Sequence, residues 1–405
     1  MTRRGAALVL LLFGLTAAGG EAAEVKTLKG KTITGDLTSL SDKEVVLTKD
    51  GKAVATPLEE VLTLDLGPAA KLPADATVSQ VQLVDGTTLY GKDLLLKKDK
   101  VSLTLLSTNA EATLPVSAVD NILNNAQDEK LRKAWGEAVG QKRERDTFAV
   151  YRDGVLNPLK GTLGEGSPDG TKIEFTLASG AGGKRELEIA KSAWLIFFRI
   201  PNPLATPPKV RLTDKGGNLF RAATLAFAED GTVTASLPSG VEFKVARADL
   251  ARLDYSTGRQ TYLSDTTPDR RVLESASGER FAHLILNKNL NNTGPMRLKG
   301  EAFNKGLAMF TYTELEYQLK GDYNEFRAVA GIDDEVGGAD GSVHLLIEGD
   351  GRELLSVTFN RQDKVRAQPI TLNIKDVDKL RIVVSDPDGK DIGKHLNLAN
   401  AQVTK

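Results

Sequence analysis

The chain has no cysteine, only three histidines and no more than 5% aromatic residues over its 405 positions. Without cysteine it forms no disulfide and carries no cysteine-linked lipid anchor. His283, His344 and His395 lack a second ligand at zinc-site spacing such as His-Glu-x-x-His, and no Gly-x-Ser-x-Gly elbow occurs. No catalytic machinery is visible, so an enzyme is not expected, nor a metal or cofactor. Charge of one sign is also missing: 53 Lys and Arg stand against 54 Asp and Glu. No global field therefore draws the protein to nucleic acid or to an anionic membrane. Past the first 23 residues no apolar run approaches the roughly 20 residues of a bilayer span.

What is present begins with an export pattern. Arg3 and Arg4 precede an apolar run from Ala6 to Ala18, followed by small residues at Gly19, Gly20, Ala22 and Ala23. Residues 1–23 read as a cleavable signal peptide; the alternative, an uncleaved anchor, has too short an apolar run for a stable span. The mature protein is expected outside the cytoplasm, in the periplasm, on the cell surface or free in the medium, without membrane insertion once the signal is removed. Export without disulfides suits a bacterial envelope.

The length implies two or more domains at about 100–200 residues each. One pattern of short alternating strands joined by Asp-Gly or Gly-rich turns recurs at 24–67, 77–124, 147–201 and 208–256. Lys31-Thr32-Ile33-Thr34-Gly35-Asp36-Leu37 and Leu159-Lys160-Gly161-Thr162-Leu163 are corresponding pieces of the first and third copies. A brief helical turn precedes the last strand of each unit, a layout that resembles a small Sm-like β-barrel. Units this short bury little alone and are expected to pack in pairs. Residues 126–146 read as a linking helix with Leu131, Trp135 and Val139 on one face; that face packs on a barrel or takes a partner. Residues 257–277 are polar and read as a linker.

The last region, 278–405, carries the densest motifs. Leu315, Tyr317 and Leu319 alternate with Glu314, Glu316 and Gln318; Phe326, Ala328, Ala330 and Ile332 repeat the period, as do Val343, Leu345 and Ile347. These are half-buried strands of an antiparallel sheet. Lys305-Gly306-Leu307 opens the series, Gly331-Ile332-Asp333-Asp334 and Glu348-Gly349-Asp350-Gly351 follow, and Asp391-Ile392-Gly393-Lys394-His395 closes it. In order and spacing these pieces resemble the NPCBM domain, a carbohydrate-binding-module-like domain of the galactose-binding-like type. The chain departs from the family at Phe310, where a His is common, and at Leu398, where a Trp is common.

The fold class expected is therefore all-β: small barrel-like repeats, one linking helix, and a C-terminal antiparallel β-sandwich of jelly-roll, galactose-binding-like type. The resemblance implies a glycan or polysaccharide partner, and the candidate carbohydrate-binding residues are Phe310, Tyr312, Asp333, Asp334, His395 and Asn397. An exposed aromatic face with planar hydrogen-bonding side chains is what sugar binding uses; the alternative for Phe310 and Tyr312 is closing the sandwich edge. For the whole chain the alternative is an envelope scaffold with a protein partner that keeps the fold without binding sugar. Asp386, Asp388 and Asp391 lie in a run that lacks the ligand order of a calcium loop and read first as a solvated turn.

Overall fold

In each of the four repeats the first strand is short and paired on both sides, which bends the unit into a partly open barrel. A computed structural model describes residues 22–152, 155–179, 183–200, 206–273, 284–335, 341–360, 362–363, 366–387 and 395–405. The expected signal peptide therefore lies almost wholly outside the described residues. Ala23, its last residue by sequence, is instead the first of the strand Ala23–Thr27 and buried against Gly35. That strand pairs with Thr32–Leu40 on one side and with Val61–Asp65 on the other. The first strands of the other three units, Ser79–Leu83, Asp146–Arg152 and Val210–Asp214, each pair likewise with the second and last strands of their own unit. A single 3-10 turn precedes every last strand, at Leu58–Glu60, Val116–Ala118, Ile189–Lys191 and Arg247–Asp249.

The recurring glycine of the second strand has a steric cause. A Cβ at Gly35 would meet the Thr48 carbonyl oxygen at 2.6 Å, at Gly91 that of Thr104 at 2.5 Å, and at Gly161 that of Thr176 at 2.1 Å. The second and third strands approach too closely there for any side chain.

The units pair through their last strands, and sequence neighbours do not always pair. Units 2 and 3 join through Asn121↔Ile196, Ile122↔Leu195 and Leu123↔Trp194. Unit 1 joins the distant unit 4 through Arg252↔Asp65, Leu253↔Leu64 and Asp254↔Thr63. Buried polar side chains then link unit 4 to unit 2: Asn218 Oδ1 accepts from the Tyr90 N–H at 2.7 Å, while Asn218 Nδ2 donates to Asp214 Oδ2 at 2.7 Å. The spatial order is 1-4-2-3, and one continuous apolar core runs through all four barrels.

Helix α1 spans Glu129–Val139, shorter than the 126–146 expected. Asp128 ends it at the front, its Oδ1 accepting from the N–H groups of Lys130 and Leu131, and Gly140 ends it at the back. Leu131 is buried, and Trp135, Ala138 and Val139 pack with Val78, Leu123 and Trp194.

Of the stretch 257–277 read as a linker, residues 274–277 lie outside the described residues, and 257–273 carry paired strands. A short helix, Ser256–Arg259, leads into Gln260–Tyr262, which pairs with the end of the chain through Gln260↔Thr404, Thr261↔Val403 and Tyr262↔Gln402. Arg270–Leu273 pairs with Thr313–Gln318. Polar side chains suggested a linker because both pieces are edge strands, with one face and one backbone edge in water.

The C-terminal region is a two-sheet sandwich. The front sheet runs in the order Leu284–Leu286, Gly306–Phe310, His395–Thr404, Glu325–Gly331, Ala367–Asn373. The back sheet runs Arg270–Leu273, Thr313–Gln318, Lys379–Ser385, Ser342–Gly349, Arg352–Asn360. Leu315, Tyr317, Phe326, Ala328, Val343, Leu345, Ile347, Leu396 and Leu398 meet between the sheets. A small hairpin, Met296–Leu298 with Glu301–Phe303, covers the outer side of the front sheet, where its apolar residues pack on Ala308, Ala367 and Ala399.

Candidate functional site

Gly306–Phe310 and His395–Thr404 are neighbouring strands in which Met309 and Leu396 face the core, so Phe310 and His395 face outward. They stand directly opposite each other in register, with ring centroids 6.1 Å apart and planes inclined at 59°. Phe310 is half-buried and His395 buried. Two residues along, on the same face, Asn397 is fully buried and its Nδ2 donates to Asp333 Oδ2 at 2.6 Å. Asp333, also buried, accepts through Oδ1 from the Glu335 N–H at 3.0 Å, and through Oδ2 from the Arg297 N–H at 3.3 Å.

Asp334 is exposed, but its carboxylate is committed to the hairpin turn. Oδ1 accepts from the Lys299 N–H at 3.1 Å and Oδ2 from the Gly300 N–H at 2.7 Å. The adjacent acids thus tie the hairpin to the front sheet from both ends. Asp333 and Asn397 have no surface to offer a ligand, which corrects the expectation that they contact sugar directly. Sequence reasoning could not separate a buried amide from an exposed one, because both suit a planar hydrogen-bonding role.

Tyr312 lies on the opposite side of the sandwich from Phe310. The chain between them crosses from the front sheet to the back, and the Tyr312 hydroxyl donates to Glu314 Oε2 at 2.8 Å. Arg381 Nη2 reaches the same oxygen at 2.8 Å, and Arg381 Nη1 reaches Glu348 Oε2 at 2.5 Å. The ladder sets Arg381 directly opposite Glu348 on one side and Glu316 on the other, and the guanidinium reaches diagonally past Glu316 to Glu314, with Arg270 opposite Glu316 on the outer strand. This charged row was not singled out as a site, although the Glu-x-Glu of 314–316 and the Lys-x-Arg of 379–381 at period two were its readable signal.

The Arg381 guanidinium holds the Glu314 carboxyl at about 2, below its ordinary 4.5. Burial comes first and the Glu314 contact second in pushing the Tyr312 hydroxyl up. The depressed carboxyl contributes stability that is present above pH 4.5 and is lost as pH falls toward 2. Glu314 is buried and Arg381 keeps partial contact with water, which screens the pair in part, so we expect Glu314→Gln to cost about 1–2 kcal/mol at pH 7. Urea melts at pH 7 and at pH 3 should show the difference between wild type and variant shrinking with acid; an equal difference at both would remove this ion pair as the cause.

Of the histidines, His344 is half-buried and shares hydrogen-bond distance with Thr358 Oγ1 at 3.1 Å and Ser356 Oγ at 3.3 Å. His283, Asp388 and Asp391 lie outside the described residues. Among the described residues no group of three or more His, Asp or Glu is placed to hold a metal ion, and no helix is long and apolar enough to cross a membrane.

Residues 259–404 match the NPCBM/NEW2 domain. The chain is similar to the CBM51 module of Clostridium perfringens GH95, solved with methyl-galactose, at 18% identity over 36% of this chain and 99% of that one, with a TM-score of 0.32. It is similar to the CBM51-2 and INT domains of Clostridium perfringens ZmpB, solved with GlcNAc, at 17% identity over 55% of this chain and 44% of that one, with a TM-score of 0.32. The tandem CBM51 modules of Sp3GH98 from Streptococcus pneumoniae SP3-BS71 give 12% identity over 94% and 87%, with a TM-score of 0.30. No curated protein matches the chain.

Proposed function

We propose, from the premise that residues 259–404 are an NPCBM/NEW2 domain, that the chain is an exported, non-catalytic protein whose C-terminal domain holds glycans weakly at the bacterial envelope. The observation that carries the reading is the outward-facing Phe310 ring, half exposed and opposite His395 at one end of the front sheet. A sugar ring stacks on Phe310 through its apolar C–H face. Asn397 and Asp333 act beneath it as supports that fix the strand and the hairpin. Tyr312 belongs to the back-sheet charge row and takes no part.

The magnitude follows from so small a contact. One stacked aromatic contributes about 0.5–1.5 kcal/mol, and each neutral hydrogen bond adds roughly 0.5–1.5 kcal/mol. A total near 4 kcal/mol corresponds to a dissociation constant of about 1 mM. Retention on a polymer then depends on several copies acting on a repeating glycan. A glycan array with polysaccharide pull-down is expected to show weak polymer binding that falls about three- to tenfold in Phe310→Ala and is unchanged in Tyr312→Ala. Micromolar affinity for a free monosaccharide, or polymer binding indifferent to Phe310→Ala, would place the site elsewhere.

A second reading is an envelope scaffold with a protein partner. It is favoured by the commitment of Asp333, Asp334 and Asn397 to internal hydrogen bonds, and an array with no bound glycan would select it. For export, intact-mass measurement of envelope material should find a mature N-terminus between Gly19 and Glu24; retention of Met1 or Thr2 would count against it.

A further inference from the structure

Between α1 and unit 3 lies a cleft of about 520 Å³, a size ordinary for a small-molecule site. Its floor is built by strand register. Pro158, Ala149 and Trp194 form one cross-strand row, and Lys160, Thr147 and Ile196 the next. Its roof is Ala134 and Ala138 of α1, small residues that leave the space open. Past the helix end the wall carries Lys142, Arg143, Glu144 and Arg145.

The charges at the mouth are unevenly matched. Arg143 is neutralised by Asp120 at 2.7 Å, and Lys142 lies 3.8 Å from Glu144. Among the described residues Arg145 and Lys160 have no ion-pair partner, and both are exposed. The Trp194 indole N–H is shut away from solvent and without an acceptor, so an occupant would meet the ring and not its donor. Glu137 and Gln141 also line the cleft, so it pairs an apolar patch at Pro158, Ala178, Trp194 and Ile196 with a polar mouth at which Arg145 and Lys160 outnumber Glu137, and this suits a ligand with an apolar body and one negative end.

We propose that this cleft binds a small amphipathic anion, an aromatic or short-acyl carboxylate or sulfonate, with its body between α1 and the Pro158–Trp194 row and its charge on Arg145 and Lys160. The site is separate from the C-terminal domain and does not rest on glycan binding.

Both tryptophans of the chain, Trp135 and Trp194, lie in the apolar cluster around the cleft, so tryptophan emission reports on this region alone. Titrating the full chain with 8-anilinonaphthalene-1-sulfonate while exciting tryptophan should give saturable energy transfer at about one probe per chain. The double variant Arg145→Glu with Lys160→Glu changes only exposed side chains and should weaken the probe about tenfold or more. Ala138→Phe fills the roof and should abolish saturable transfer with the far-UV spectrum unchanged. No saturable transfer in the wild type, or affinity within about twofold of wild type in the charge variant, would overturn the proposal. Should Ala138→Phe unfold the chain, the charge variant alone decides.

Discussion

Gly306→Val destabilises the C-terminal sandwich by about 2–6 kcal/mol, while the four barrels stay folded. Gly306 has φ +141°, and a Cβ there would meet the Leu398 carbonyl oxygen at 2.3 Å, Met296 Cε at 2.8 Å and Ala399 Cα at 2.9 Å. Two of these contacts are backbone of the adjoining strand, which cannot move without breaking its pairing on both sides. Left-handed strain of about 1–3 kcal/mol adds to overpacking of about 1–3 kcal/mol, against a total domain stability of about 5–15 kcal/mol. Calorimetry should show an early transition for the variant, with tryptophan emission still reporting folded barrels. A melt within about 0.5 kcal/mol of wild type would mean that the strands separate more easily than this geometry allows.

Arg259→Ala is expected to uncouple the sandwich from the barrels. The Arg259 guanidinium donates through Nη1 to the carbonyls of Leu58 and Val61, at the 3-10 turn of unit 1, and lies 4.4 Å from the Tyr255 ring centroid. Its own backbone carbonyl accepts from the Lys405 N–H at 2.9 Å, so one residue grips both halves. Arg327, which donates through Nη1 to the Leu28 carbonyl at 2.8 Å, supplies a second clasp. Charged hydrogen bonds of about 1.5–3 kcal/mol each are lost on truncation, and the half-buried carbonyls lose their donor. The wild type should therefore melt in one transition, and Arg259→Ala in two, more widely spaced when Arg327→Ala is added. One unshifted transition in the double variant would show that the strand pairing of Gln260–Tyr262 suffices alone.

The alternating strands of the sandwich were readable because apolar and polar side chains alternate along them: Leu315 and Tyr317 turn into the core, Glu314 and Glu316 to the outer face, where Arg381 and Arg270 meet them. Lys305-Gly306-Leu307 was readable as a motif, but its cause is a contact with Leu398, 92 positions away by the numbering and beyond any local signal. Register sets Phe310 and His395 side by side, which no local pattern encodes; sequence could not tell that Tyr312, two residues on, turns to the other sheet. The edge strands at Gln260–Tyr262 and Arg270–Leu273 looked like linker for the same reason that edges resist aggregation: they are polar and short. Asp333 and Asn397 illustrate the opposite ambiguity, since polar residues buried by mutual pairing look in sequence like residues exposed for binding.

The pairing of unit 1 with unit 4 also sets a timetable. The strand ending at Asp65 finds its outer partner only when Arg252, 187 positions later, has emerged. At about 5–20 residues per second of synthesis that interval is roughly 10–40 s. For all of it the first barrel, though closed on itself through Ala23–Thr27, carries a bare hydrogen-bonding edge, and with the sequence Val61-Leu62-Thr63-Leu64 that edge is sticky. A protein so wired gains from being held unfolded until the whole chain is available, and a nascent chain stalled before unit 4 is its most aggregation-prone form.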